Sequence, residues 1–223
     1  MKEENMAQNQ YPESYRVITG PGQGEIVEKK SRFIASLMPV QSEEEALAFI
    51  EKIRKEHYAA RHNCFAFIIG KKSELERCSD DGEPSGTAGR PMLEVLKGAG
   101  ITNVAAVVTR YFGGVLLGTG GLARAYTQSL QEGLNDCEIV TMRYGVSYAI
   151  TADYTMTGKL QYIFAKRDIT VEDTEYTDVV RFRVTLASDR EEILQKEVTE
   201  ATGAKAVIEK TGDVYFVDKG GQS

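Results

Sequence analysis

Five glycines fall within nine residues of this chain: Gly113, Gly114, Gly118, Gly120 and Gly121. They separate two stretches of different periodicity. Residues 103–110 are a continuous apolar, β-rich run, which reads as a strand buried on both faces. From about Leu122 to Leu134 the apolar residues recur at helical spacing. The glycines must therefore turn a buried strand into a helix, which restricts the fold to one that mixes the two elements. Glycine also permits positive φ and lets backbone approach a ligand closely. The free N–H groups of the helix that follows, with its dipole, suit an anion. Arg110 precedes the segment and Arg124 lies one turn inside the helix, and a guanidinium pairs with phosphate or carboxylate bidentately. The alternative is a tight connection in which both arginines serve structural salt bridges. Gly118-x-Gly120-x-x-Ala123 matches a dinucleotide fingerprint by letter, but it sits mid-chain and Glu138 is a poor ribose acid. A P-loop would need a lysine that is missing here.

The rest of the first half fits the same mixed class. Residues 25–29 and 32–40 read as strands, the second with Phe33, Ala35 and Leu37 on one face. Ser42 and Glu45 have capping-box spacing at the head of a helix that buries Ala46, Phe49, Ile50 and Ile53. Residues 63–69 form a buried strand, and Pro91 suits the first turn of a short helix to Leu96. The second half reads β-α-β-β-α-β, with strands near 144–151, 169–175, 179–186, 205–209 and 214–217. Its helices span 155–166, with Met156, Leu160 and Ile163 buried, and Asp189 to Ala201, with Ile193, Leu194 and Val198 buried. That order is the split βαβ, ferredoxin-like arrangement. Arg181, Arg183 and Thr185 should present a solvated, partly basic sheet face.

A second polar loop carries carboxylates, in residues 80–89, DDGEPSGTAG. Asp80, Asp81 and Glu83 are close enough to hold Mg²⁺ or to orient a water. Alternatively they form a solvated turn, with Ser85 and Thr87 as backbone caps. His57, His62, Cys64 and Cys78 have no recognised metal-ligand spacing, so no metal site and no cofactor are expected. Tyr111 and Phe112 read as core plugs in preference to an exposed aromatic anchor.

Composition narrows the function classes. A net charge of −6 excludes a broadly basic nucleic-acid coat. The charge is uneven, however: residues 1–135 carry 16 Lys and Arg against 17 acids, and residues 136–223 carry 11 against 16. A polyanion would meet the first half, where Lys29, Lys30 and Arg32 add a basic run. No apolar stretch reaches the roughly 20 residues of a membrane helix. Three cysteines without a paired motif argue for a reducing cytoplasm.

Three stretches then coincide with a known pattern: residues 30–34, KSRFI; 80–91, DDGEPSGTAGRP; and 107–126, VVTRYFGGVLLGTGGLARAY. The chain resembles the IMPACT/YigZ family in its bacterial two-domain form. The resemblance implies an α+β fold. It makes residues 15–137 a first domain like a ribosomal protein and domain IV of elongation factor G, and residues 140–218 a ferredoxin-like domain like domain V. Residues 1–14 and 219–223 would be tails. Eukaryotic relatives act by binding protein, competing for the activator of a translation-control kinase through a region that includes an extra N-terminal domain expected to be missing here. The expected function is translation-linked regulation, with RNA, the ribosome or a translation-associated protein as partner. An enzyme acting on a phosphorylated small molecule with Mg²⁺, and a protein–protein adaptor, are the alternatives.

Overall fold

The computed structural model describes residues 12–218, so the expected tails at 1–11 and 219–223 lie outside the described residues. Ser14, expected in the first tail, already begins a strand. The chain divides into two compact units, the first ending at Thr141 and the second beginning at Met142.

The first unit runs β1 (Ser14–Ile18), β2 (Gly22–Glu28), β3 (Ser31–Pro39), α1 (Glu43–Glu56), β4 (His62–Ile69), β5 (Leu75–Ser79), α2 (Gly89–Gly98), β6 (Val104–Tyr111) and α3 (Gly118–Asn135). Strands β2-β3-β6-β4-β5 form one antiparallel sheet in that order. The sheet is covered on both faces, which explains why β6 reads as continuously apolar. On one face Val104, Ala106 and Val108 pack with Met92, Leu96, Leu122, Tyr126 and Leu130 of α2 and α3. On the other, Ala105 and Val107 pack with Ala46, Phe49, Ile50 and Ile53 of α1. The alternation along β6 puts Arg110 on the α2/α3 face. Helix α1 starts as its sequence dictates: Glu45 N–H donates to Ser42 Oγ at 3.2 Å, and the Glu45 carboxylate accepts from Gln41 N–H at 2.7 Å. Strand β5 has no expectation behind it, because Leu75 and Cys78 do not alternate and its other three residues are polar.

Helix α3 begins at Gly118, four residues earlier than its periodicity indicates, so three of the five glycines are helical rather than looped. Its far end presses close to β2. A Cβ on Gly24 would come within 2.3 Å of the Gly133 nitrogen, so only glycine allows that approach.

The second unit contains β7 (Ile139–Ala152, which leads into it), α4 (Thr157–Lys166), β8 (Thr170–Tyr176), β9 (Val180–Ala187), α5 (Glu191–Thr202) and β10 (Val207–Val217). The antiparallel order is β10-β7-β9-β8. Both helices share one core with Val146, Tyr148, Ile150, Phe182 and Val184. The last two expected strands are one strand with a bulge between Lys210 and Gly212. Asp189 does not cap α5; it sits in a 3-10 turn and bridges Arg143 at 3.3 Å. Ile193 is 44% exposed, because the buried stripe of α5 runs through Leu194, Val198 and Thr202. The expected basic sheet face is neutralised: Arg183 pairs with Asp173 and Glu175, and Arg181 with Glu209. No helix among the described residues is long and apolar enough to cross a membrane.

Candidate functional site

The two polar loops have opposite fates. Between β5 and α2, the carboxylates turn inward. Asp80 accepts the backbone N–H groups of Gly86 at 2.8 Å and of Ala88 and Gly89 at 2.9 Å. The last two belong to the head of α2, where Ala88 has no capping side chain of its own, so Asp80 caps the helix from a distance. Burial works to raise the Asp80 carboxyl, but the three N–H donors outweigh it and hold the carboxyl below its ordinary value. Asp81 accepts from Asn63 N–H at 2.7 Å and from Arg54 at 3.1 Å, and its carbonyl meets His62 Nδ1 at 2.9 Å. Thr87 Oγ1 donates to the Pro84 carbonyl at 2.6 Å, and Ser85 is exposed.

Glu83 is the deepest of the three acids. One carboxylate oxygen accepts from Arg110 at 2.7 Å and from the Tyr126 hydroxyl at 2.9 Å. The side chains of Arg110 and Glu83 are 6% and 3% exposed. Cys64 donates to the Asp80 carbonyl at 3.0 Å and to the Tyr126 oxygen at 3.3 Å. Burial, above all, pushes its thiol up to about 12 and raises the Tyr126 phenol as well, so neither is a nucleophile or base near neutrality. All three loop carboxylates are therefore engaged by protein groups. Among the described residues no three His, Cys, Asp or Glu side chains are grouped to hold a metal ion.

This overturns the reading of Arg110 as an exposed anion ligand. It is a buried partner of Glu83, and it ties the acid loop to the base of the glycine segment. Its guanidinium lies 5.4 Å from the Phe33 ring centroid and 5.5 Å from that of Phe112. Its Nε is buried with no hydrogen-bond partner. Phe112 is a second correction: it is 51% exposed rather than a core plug, because it follows the last residue of β6 and rests over Arg110 at the sheet's end. Tyr111, on the opposite face, is half-buried against His57, with 3.0 Å between hydroxyl and Nδ1.

Beyond Phe112 the segment turns outward and meets the β2–β3 turn. Gly113 N–H donates to the buried Ser31 hydroxyl at 3.1 Å. A Cβ on Gly113 would stand 2.1 Å from the Lys30 carbonyl carbon, so this crossing requires glycine. Lys29 and Lys30 occupy the left-handed region, at φ 45° and 69°. A two-residue turn with both φ values positive matches the twist of a hairpin, at a conformational cost for lysine that glycine would avoid. Both side chains are exposed. Gly114 and Gly118 also have positive φ, at 85° and 72°. Helix α3 has no capping side chain at Leu117, and among the described residues no side chain stands to its first N–H groups as Asp80 does to those of α2. A groove of about 190 Å³ runs beside this helix start, lined by Ile26, Glu28, Lys29, Leu117, Gly121, Arg124, Ala125 and Gln128. Among the described residues Lys29, Lys30 and Arg124 form no ion pair, whereas Arg32 is held by Glu25 at 2.9 Å. Val115 and Leu116, at the tip, are 43% and 82% exposed.

The sequence groups Lys29, Lys30, Arg32, Arg124 and the glycines with Arg110; the structure lays Gly113 against Lys30, sets Lys29, Gly121 and Arg124 along one groove, pairs Arg32 with Glu25 and buries Arg110. Sequence reading assigned no role to Tyr126 or Ser31. A signal for the first exists: Tyr126 lies four residues after Leu122 on the buried face of α3, and a buried hydroxyl needs a partner.

Two family models match the chain: the Impact N-terminal domain over residues 29–134, and a domain of unknown function, DUF1949, over residues 150–205. The chain is 42% identical over 206 residues to the IMPACT family member YvyE of Bacillus subtilis, covering 92% of this chain and 94% of that protein. It is 39% identical over 160 residues to the IMPACT family member YigZ of Escherichia coli, covering 71% and 78%. The human Protein IMPACT matches at 35% over 98 residues, 42% of this chain and 30% of that one. A crystal structure described as a hypothetical protein is similar at 33% identity and a TM-score of 0.58, covering 88% of this chain and 97% of that one.

Proposed function

The chain belongs to the IMPACT family, and from that premise we propose that it is a cytoplasmic, translation-linked regulator that binds RNA, free or in the ribosome, through the first unit. The observation that carries this reading is the meeting of the strained Lys29–Lys30 turn with the glycine segment, beside Arg124 and the uncapped start of α3. Three cations that form no ion pair among the described residues, and a set of backbone N–H groups, suit phosphate oxygens in both charge and hydrogen bonding. Glu28, on the same groove, limits the surface to a few phosphates and fits the acidic chain as a whole. Likeness of the first unit to domain IV of elongation factor G, and of the second to its ferredoxin-like domain V, belongs to the same reading. The β10-β7-β9-β8 order with both helices in one core supports the second part of it.

The test is co-sedimentation with ribosomes and with free RNA at about 50 and 200 mM salt. The comparison is a Lys29→Ala/Lys30→Ala/Arg124→Ala protein, which leaves the buried Arg110 pair intact. Salt-sensitive association that the triple variant loses supports the proposal; equal association of both proteins overturns it. A protein–protein adaptor is the second reading, favoured by the exposed Val115 and Leu116. Leu116→Ser should abolish partner capture under that reading and leave RNA binding unchanged under the first. A Mg²⁺-dependent enzyme has less support, since Asp80, Asp81 and Glu83 are each committed to protein donors.

A further inference from the structure

Phosphate contacts account for the lysines and Arg124, but not for Phe112. That ring is half-exposed just beyond a strand whose aliphatic side chains are all buried. It is also held in place. One face is backed at 5.5 Å by the Arg110 guanidinium, which is fixed by Glu83 and stacked at 5.4 Å on Phe33. The next residue, Gly113, lies against the Lys30 backbone, which sets the ring beside the Lys29–Lys30 turn, where neither lysine forms an ion pair among the described residues. An aromatic ring supported from behind, half-exposed and next to a two-lysine turn matches the chemistry of an unpaired nucleotide. The ring takes a base face and the lysines take the adjoining phosphates.

We infer that Phe112 is a stacking platform for an unpaired base, so that the surface selects single-stranded RNA over duplex. The inference rests on the RNA reading above and narrows it. In an A-form duplex each base face is covered by its neighbours, leaving Phe112 nothing to stack on. Because the ring is already positioned by Arg110, little side-chain freedom is lost on binding.

The chain contains no tryptophan, so Phe112→Trp introduces a single indole at the platform, excited selectively at the red edge where its eleven tyrosines do not absorb. Titration with a single-stranded oligoribonucleotide of about ten residues, and with its duplex, reads stacking directly. Quenching by the single strand and not by the duplex is the expected result. Phe112→Ala should weaken single-strand affinity roughly 5- to 150-fold, the range for one base–aromatic contact, without changing the salt slope. Phe112→Leu keeps apolar cover over Arg110 but has no aromatic face, and it should lose affinity to a similar degree with an unchanged melting temperature. If Phe112→Ala and Phe112→Leu bind single strands as the parent does while the triple lysine/arginine variant does not, stacking is refuted and phosphate binding stands. Equal quenching by duplex also refutes it. If the parent binds neither form, the RNA reading fails and this inference fails with it.

Discussion

Residues 80–89 and 112–121 look alike in sequence. Both are glycine-rich, both precede a helix, and both carry or adjoin charge. In the folded protein they differ in where their hydrogen bonds go. The first loop spends its carboxylates on its own backbone, on Arg54 and on Arg110. The second segment is tied at its root to Ser31, and Phe112, Leu116 and the adjacent cations face solvent. A charged loop is therefore not a site because it is charged. It is a candidate only where the charges remain unpaired after the chain has folded.

That contrast can be broken at its joint. Glu83→Ala or Arg110→Ala should destabilise the protein by about 3–5 kcal/mol, because each leaves an uncompensated buried charge. Chemical denaturation would measure it. A Glu83→Leu/Arg110→Met double variant should lose less than either single one, since it removes both charges at once. In a Glu83→Ala/Arg110→Ala variant, losses that simply add those of the two single variants would mean the pair is not coupled.

Asp80→Ala comes next, at about 1.5–3 kcal/mol for hydrogen bonds to a charged group, and its effect should depend on pH. The folded carboxyl titrates below its ordinary 3.8. Its contribution is thus fully present above that value and is lost as the pH falls through the lower, folded value. Melting curves of parent and variant should converge in acid. A gap that stays constant to low pH would assign the loss to something other than the ionised carboxylate.

Gly113→Ala probes the open segment at its root. The added Cβ collides with the Lys30 backbone, so a loss of about 1–3 kcal/mol is expected from overpacking. A neutral result would show that the two turns part easily. The smallest stability effect belongs to the Lys29→Ala/Lys30→Ala/Arg124→Ala protein, within about 0.5 kcal/mol. Its effect on RNA should be large: the salt slope should fall by about two, near 0.7 per lost phosphate contact. An unchanged slope would remove these residues from the interface.

Much of the fold is legible locally. The Ser42–Glu45 cap, the buried stripe of α1 and the alternation in β9 all follow from residues within a few positions of each other. The misses have physical causes too. Strand β5 is nearly all polar and owes its place to pairing with β4. Helix α3 runs back into glycines that propensity alone would leave unwound. Ile193 and Asp189 sit one position away from the roles that spacing suggested.

What the sequence by itself determined is most of the elements and their order, β1 and β5 excepted, and a glycine-rich passage from a buried strand to a helix. Periodicity, caps and turn chemistry act over about four residues, and those signals are printed in the chain. Only the tertiary structure decided which charges are spent. Arg110 finds Glu83 across 27 positions, Tyr126 finds it across 43, and Gly113 reaches Ser31 across 82. Such pairings are set by strand register and helix packing, and a buried charge must be matched wherever those bring it. That requirement removed Arg110 from the surface; among the described residues Lys29, Lys30 and Arg124 form no ion pair, and Phe112 stays half-exposed.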